Sequence, residues 1–267
     1  MDGFALSHDF CARNISAGYE ENLILKDLDI IVPAGKFSVL IGPNGCGKST
    51  LLKSFARLLK PKDGDVVLDG KSIYDIPTQR LSKQIGLLPQ SPIVPAGITV
   101  ADLVARGRFP YQNLFGQLSK ADYKAIADAM EAMGIADLAD KSVDSLSGGQ
   151  RQRVWIALVL AQDTDILLLD EPTTYLDIAY QVEILDCLAM LNKTKKTTIV
   201  AILHNINLSI RYADHIFAMK RGRLIAEGEP REIITPELMM EVYGMESDII
   251  TDPATGDPYV IPRSKAC

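Results

Sequence analysis

The stretch KFSVLIGPNGCGKSTLLKSF, residues 36–55, constrains this chain more than any other. An apolar run stops at Gly42, glycines recur at 45 and 47, and Lys48-Ser49-Thr50 opens a segment with apolar residues at helical spacing up to Pro61. Strand, glycine turn and helix form the context in which G-x-x-x-x-G-K-[ST] wraps phosphate. The glycines let backbone N–H groups face the oxygens, and the helix N-terminus adds partial positive charge. Lys48 is placed to reach β- and γ-phosphates, and Ser49 to offer its hydroxyl to Mg²⁺. The candidate phosphate-binding residues are therefore Gly42, Pro43, Asn44, Gly45, Cys46, Gly47, Lys48, Ser49 and Thr50.

Around this loop the pattern alternates. FCARNISAGY, LKDLDIIV and KFSVLI read as short strands within 10–41, and DGDVVLDG and QIGLLPQ as two more. Residues 99–161 change texture: TVADLVARG, KADYKAIADAMEAMG and GGQRQRVWIALVLAQ all have helical spacing. After them come a strand (DILLLD), a helix (IAYQVEILDCLAMLNK), a strand (TTIVAIL), a short helix (NLSIRYAD) and a hairpin turning at Arg221-Gly222. Strands alternating with helices predict a mainly parallel sheet covered on both faces. The helical block at 91–162 reads as an insertion, leaving 1–90 and 163–267 as the α/β core.

Two more stretches carry chemistry. In DILLLDEPTT a carboxylate, Asp170, ends an apolar strand, where it can hold Mg²⁺ through water. Glu171 follows it and is suited to take a proton from an attacking water, although a buried strand ending in a solvated acidic turn gives the same pattern. DSLSGGQRQR is a second glycine-rich helix start, without a lysine. Ser147 either caps a helix that binds nothing, or it opens an anion site with Gly148 and Gly149 that completes a phosphate gripped elsewhere.

Composition narrows the partners. A formal net charge of -6 offers no broad basic face, which argues against nucleic acid. The four cysteines, Cys11, Cys46, Cys187 and Cys267, stand far apart without a C-x-x-C pair, so a reducing cytosol is expected rather than a disulfide or zinc framework. No apolar run approaches bilayer-spanning length, and no apolar export signal precedes the first strand.

Taken in order, GPNGCGKST (Walker A), Gln90 (Q-loop), LSGGQ at 146–150 (signature), ILLLDE (Walker B), YLD (D-loop) and His204 (H-loop) resemble the ATP-binding cassette of ABC transporters along nearly the whole chain. The resemblance implies an α/β P-loop ATPase core with a mainly parallel sheet, an N-terminal antiparallel β part and an inserted helical subdomain. ATP and Mg²⁺ are its implied cofactors. In this family two cassettes pair head to tail, so Ser147, Gly148, Gly149 and Gln150 would serve the nucleotide held by a second copy of the chain. Tyr19 would stack on adenine, although a turn tyrosine also packs locally. Gln90 would touch Mg²⁺ or the attacking water and report to membrane subunits. His204 would contact the γ-phosphate, and Asp177 would lie at the dimer seam. The implied catalytic set is Glu171, His204 and Gln90; the implied Mg²⁺ set is Ser49, Gln90 and Asp170.

Three positions depart from the family pattern. Asn205 replaces the usual Asp after the histidine, Cys46 stands where Ser or Ala is common, and Leu158-Val159 occupy the region of a frequent arginine. TVADLVARGRFPYQ resembles cassettes of ferric-siderophore, haem and cobalamin importers, and the run from Trp155 to Gln181 and the tail ITDPATGDPYVIP resemble the siderophore members in particular. That branch implies an ATPase on the cytoplasmic face of the membrane, attached to separate permease subunits and supplied by an extracytoplasmic binding protein. Arg106, Arg108 and Phe109 are the candidate permease contacts. The rivals are a soluble clamp acting in DNA repair or translation, and a binding module without turnover. The chain has neither a C-x-x-C hook nor a second motif set, and it keeps Glu171 and His204, all of which disfavour them.

Overall fold

The computed structural model describes residues 8–90, 96–112, 116–174 and 176–263. Its elements are β1 (Phe10–Tyr19), β2 (Asn22–Val32), β3 (Phe37–Ile41), α1 (Lys48–Phe55), β4 (Asp63–Leu68), β5 (Lys71–Ser72), α2 (Thr78–Leu81), β6 (Ile85–Leu88), α3 (Val100–Ala105), α4 (Lys120–Ala132) and α5 (Gly148–Ala161). They continue as β7 (Ile166–Asp170), α6 (Ile178–Lys195), β8 (Thr198–Ile202), α7 (Ile206–Tyr212), β9 (His215–Lys220), β10 (Arg223–Gly228), α8 (Pro230–Ile233), α9 (Pro236–Tyr243), β11 (Ser247–Thr251) and β12 (Pro258–Pro262). The described residues form two compact units, one within Ile76–Thr197 and the other within Ser7–Asp75 and Thr198–Cys267.

In the second of these units, β2, β1, β4 and β5 make an antiparallel sheet. Strand β3 runs parallel to β8 on one side and to β9 on the other, and β10 returns antiparallel to β9. Every residue of β3 and β8 is buried, as expected of parallel strands covered on both faces. Burying a Val, Leu or Ile side chain is worth roughly 1.5–3 kcal/mol. With Val39, Leu40 and Ile41 all fully buried, the strand is a fixed mount for the loop that follows. Helix α1 adds Leu51, Leu52 and Phe55 to this core, with the Phe55 ring 4.8 Å from that of Phe10. The helix stops at Phe55, short of the Pro61 that the spacing predicts, because Arg57 takes a left-handed backbone (φ 58).

The expected hairpin is present. Arg221 and Gly222, both with positive φ (49 and 79), form the two-residue turn between β9 and β10, which suits right-twisted strands. Gly222 has no alternative: a Cβ there would lie 1.8 Å from the Ile24 carbonyl oxygen. The tail is ordered too, since β11 and β12 pair antiparallel. It docks on α7 through Asn207, whose Oδ1 accepts from Val260 N at 2.8 Å while its Nδ2 donates to Val260 O at 3.2 Å.

The first unit contains the parallel pair β6–β7 and helices α2 to α6. The helical block expected at 91–162 falls inside it. Its helices start where polar caps satisfy the free N–H groups of the first turn: Thr99 for α3, Ser119 with Asp122 for α4, and Ser147 with Gln150 for α5. The three helices pack on one another, and Leu103, Val104, Ile126, Met130, Val154 and Ile156 on them are buried.

Candidate active site

The loop that follows β3 is held by the backbone around it. Gly42 leaves β3 with φ 145, and Gly45 and Gly47 follow at 77 and 110. A Cβ on Gly42 would lie 2.2 Å from the Met219 carbonyl oxygen on β9, so only glycine lets the loop pass this close. The Cys46 carbonyl accepts from Gly222 N at 2.8 Å, which ties the loop to the β9–β10 turn. Lys48 is 6% exposed, and its Nζ donates to the Gly42 carbonyl at 2.7 Å and the Pro43 carbonyl at 3.1 Å. Asn44 and Gly45 are exposed, Ser49 is half-buried in the first turn of α1, and Thr50 is buried. Burial pushes the Cys46 thiol up, against the opposing effect of the nearby Lys48 charge, so Cys46 is an inert wall of the loop rather than a nucleophile.

In the same unit, Tyr19 ends β1 with 43% of its surface exposed. The Lys53 ammonium, from the loop-bearing helix, donates to its hydroxyl at 3.2 Å and lies 5.6 Å from its ring centre. His204 is exposed, immediately after the buried Leu203. The departure at position 205 has a structural role: Asn205 Oδ1 accepts from Asn207 N (3.0 Å) and Leu208 N (3.1 Å), capping α7. A neutral amide does this as well as a carboxylate.

The other unit carries the remaining candidates. Asp170 ends β7 and is 3% exposed. Glu171 follows in a left-handed conformation (φ 56), a strain of about 1 kcal/mol for a residue with a Cβ. Thr174 fastens that turn, its hydroxyl donating to Glu171 Oε2 at 3.0 Å and its N–H to the Glu171 carbonyl at 3.3 Å. Gln152, on α5, donates to the neighbouring Pro172 carbonyl at 2.7 Å. Residues 147–150 form a reciprocal cap: Ser147 Oγ accepts from Gln150 N at 3.2 Å, and Gln150 Oε1 accepts from Ser147 N at 3.1 Å. Asp177 is exposed at the start of α6. With Ser147, Gly149, Gln150, Arg153 and Tyr180 it lines a cavity of about 470 Å³. Gln90 is exposed two residues beyond β6. Tyr175 of the D-loop lies outside the described residues.

The donors expected for a metal fit Mg²⁺ in kind. Ser49, Asp170 and Gln90 offer hydroxyl, carboxylate and amide oxygens, the hard donors that Mg²⁺ takes. Among the described residues no group of three or more His, Cys, Asp or Glu forms a cage. Mg²⁺ does not need one, because it keeps waters and binds substrate phosphates.

Comparison with known proteins settles what this set of parts belongs to. The family model for ABC transporters matches residues 25–174, from β2 through the phosphate loop, signature and acidic strand end. The chain belongs to the ABC transporter family. It is an ATP-binding, ATP-hydrolysing cassette. It is 51% identical to a probable siderophore transport ATP-binding protein of Bacillus subtilis, covering 95% of this chain and 92% of that one. It is 49% identical to the ferric enterobactin transport ATP-binding protein of Escherichia coli (95% and 93% covered). A petrobactin import ATP-binding protein of Bacillus anthracis is 47% identical over the same shares. Among solved structures, an inward-facing proposed metal-chelate type ABC transporter aligns with TM-score 0.82 at 28% identity, covering 97% of the cassette and 98% of that chain. A bacterial ABC transporter cassette solved as a dimer aligns with TM-score 0.73 at 30% identity, covering 82% and 98%.

The structure corrects one expectation. Arg106 and Phe109 are exposed, Phe109 by 58%, but Arg108 is not available to a permease. It is 6% exposed, its Nε donates to Asp122 Oδ1 at 2.8 Å and its Nη1 to the Ala161 carbonyl at 2.8 Å. Its guanidinium also lies 3.7 Å from the Tyr111 ring centre. RGRF thus holds one internal arginine beside one external one. Sequence reasoning also missed Gln152, Thr174 and Tyr243, none of which stands in a motif whose spacing assigns it a partner. No helix among the described residues is long and apolar enough to cross a membrane.

Proposed function

We propose that the cassette energises import of iron–siderophore complexes, as a peripheral subunit on the cytoplasmic face of the membrane with separate permease subunits and an extracytoplasmic binding protein upstream. The observation that carries this reading is the identity of 47–51% over 95% of the chain to three siderophore-related ATP-binding proteins. In this reading residues 42–50 cradle the phosphates and Tyr19 stacks on the base. Lys48 exchanges the Gly42 and Pro43 carbonyls for phosphate oxygens, which are stronger acceptors because they are charged. Ser49, Asp170 and Gln90 would hold Mg²⁺, which neutralises charge on the β- and γ-phosphates. Glu171 takes the proton of the attacking water once its carboxylate lets go of Thr174, and His204 steadies the γ-phosphate. Ser147, Gly148, Gly149 and Gln150 of one copy close over the nucleotide of a second, with Asp177 at the seam. Residues 91–162 act as the helical subdomain that carries this signature.

The test is Glu171→Gln in the native cell, scored by uptake of labelled ferric siderophores, haem and cobalamin. General-base catalysis is worth about 10²–10⁴-fold, so turnover should all but vanish while ATP binding persists. The expected result is loss of one ferric siderophore class, and a nucleotide-dependent dimer of the purified variant on sizing. Loss of haem or cobalamin uptake instead would move the cargo. Unchanged uptake of all three, in cells without a redundant cassette, would discard import of these cargoes.

A further inference from the structure

Gly42 is the hinge between the buried strand β3 and the phosphate loop, and the two peptide groups that flank it are each held by a side chain. Its carbonyl accepts from Lys48 Nζ at 2.7 Å. Its N–H donates at 3.0 Å to the hydroxyl of Tyr243, 201 residues further along the chain. The two grips differ in permanence. A lysine that serves phosphate oxygens must release the Gly42 and Pro43 carbonyls, whereas the tyrosine has no reason to move. Helix α9, which ends in Tyr243, is fastened at both ends and along its inner face. Thr235 caps its start through Leu238 N at 3.1 Å, Gly244 closes it in a left-handed turn (φ 65), and Leu238, Met239 and Val242 are buried. Burial also pushes the Tyr243 hydroxyl up to about 12, so it stays a neutral O–H at any physiological pH.

We propose that Tyr243 is a positioning residue for the phosphate loop: it fixes the Ile41–Gly42 peptide when Lys48 leaves the next one for the nucleotide, so that the backbone N–H groups stay aimed at the phosphates. Tyr243 acts through Gly42 and touches no substrate. The loop passes β9 so closely that a Cβ on Gly42 would meet the Met219 carbonyl oxygen at 2.2 Å, so a peptide freed at this point has little room to settle elsewhere without displacing the loop. The proposal rests on residues 42–50 being the nucleotide site.

The experiment compares wild type, Tyr243→Phe and Lys48→Ala by steady-state ATP hydrolysis and by equilibrium binding of a fluorescent ADP analogue. Tyr243→Phe removes one hydrogen bond to an uncharged donor and keeps the ring. KM for ATP and Kd for the analogue should each rise about 2–10-fold, the span of a single hydrogen bond, with kcat within twofold of wild type. Both constants are independent of the concentration of active protein, so they decide the matter even if part of the variant is misfolded. Unchanged KM and Kd would overturn the proposal, and so would a fall in kcat alone, which marks lost folded protein. If Lys48→Ala binds the analogue as wild type does, the nucleotide-site reading beneath it is what fails.

Discussion

Arg108→Met separates a buried structural arginine from a docking arginine. Methionine keeps much of the apolar stem and removes the guanidinium, which leaves Asp122 buried at 4% exposure without its charge partner. Breaking a buried pair from one side costs about 3–5 kcal/mol. The low end applies here, because the Asp122 carboxylate keeps the Ser119 N–H at 2.8 Å and the Ser119 hydroxyl at 2.7 Å. A loss of about 3 kcal/mol in a chain of this size lowers Tm by roughly 6–12 °C. The effect should depend on pH with a defined sign. Hydrogen bonds from Ser119 first, and then the Arg108 charge, hold the Asp122 carboxyl below the usual carboxylate range. Its contribution is therefore complete above the unfolded value of about 3.9 and is lost as pH falls through the lowered folded value. The gap between wild type and variant should be full at neutral pH and narrow below about pH 4. The assay is thermal melting by circular dichroism across this range, with the exposed Arg106→Met as control. A variant that melts within 1–2 °C of wild type at pH 7, yet loses transport, would refute the buried-pair reasoning and return Arg108 to the permease face.

Gly42→Ala should abolish tight nucleotide binding, because its Cβ would sit 2.2 Å from the Met219 carbonyl oxygen at φ 145. The strain of about 2–3 kcal/mol would appear as a more than tenfold weaker ADP titration, and near-normal affinity would show that the loop has slack. Gln152→Ala removes the hydrogen bond to the Pro172 carbonyl and loosens the turn that holds Glu171. A bond of about 1 kcal/mol predicts kcat down roughly fivefold with ADP affinity unchanged, and a change in affinity alone would sink this assignment.

What could be read in advance was what is written locally. The strand–loop–helix at 36–55 announces itself because fixed mounting, glycine φ and cation must lie within a dozen residues. The Arg221-Gly222 turn was legible for the same reason. Ser147-x-x-Gln150 showed its cap, but the sequence left open whether the cap also serves a ligand. Arg108 was misread because its partner, Asp122, lies in the next helix, and two arginines on one short segment look alike until one of them is buried. Tyr243 was invisible: nothing in PELMMEVYG points at a glycine 201 residues earlier. The C-terminal hairpin was hidden too, since Asp, Pro, Thr and Gly around 251–258 read as loop, and the tertiary hold of Asn207 on Val260 is what gives the segment a place to dock.

If two copies of the chain meet at residues 147–150, as proposed, the reciprocal cap there sets the terms. Ser147 Oγ and Gln150 Oε1 each accept from the other's backbone, and the Gly148 and Gly149 N–H groups between them, which the helix itself does not use, are donors without side chains. A Cβ on Gly148 would meet nothing within 4 Å. Such donors have no rotamers to freeze when an anion arrives, so capture carries almost no side-chain entropy penalty, and letting go is equally unencumbered. On the proposed reading such a surface would stick only while a phosphate is there to be shared, so the nucleotide would be the removable adhesive and hydrolysis the act of peeling.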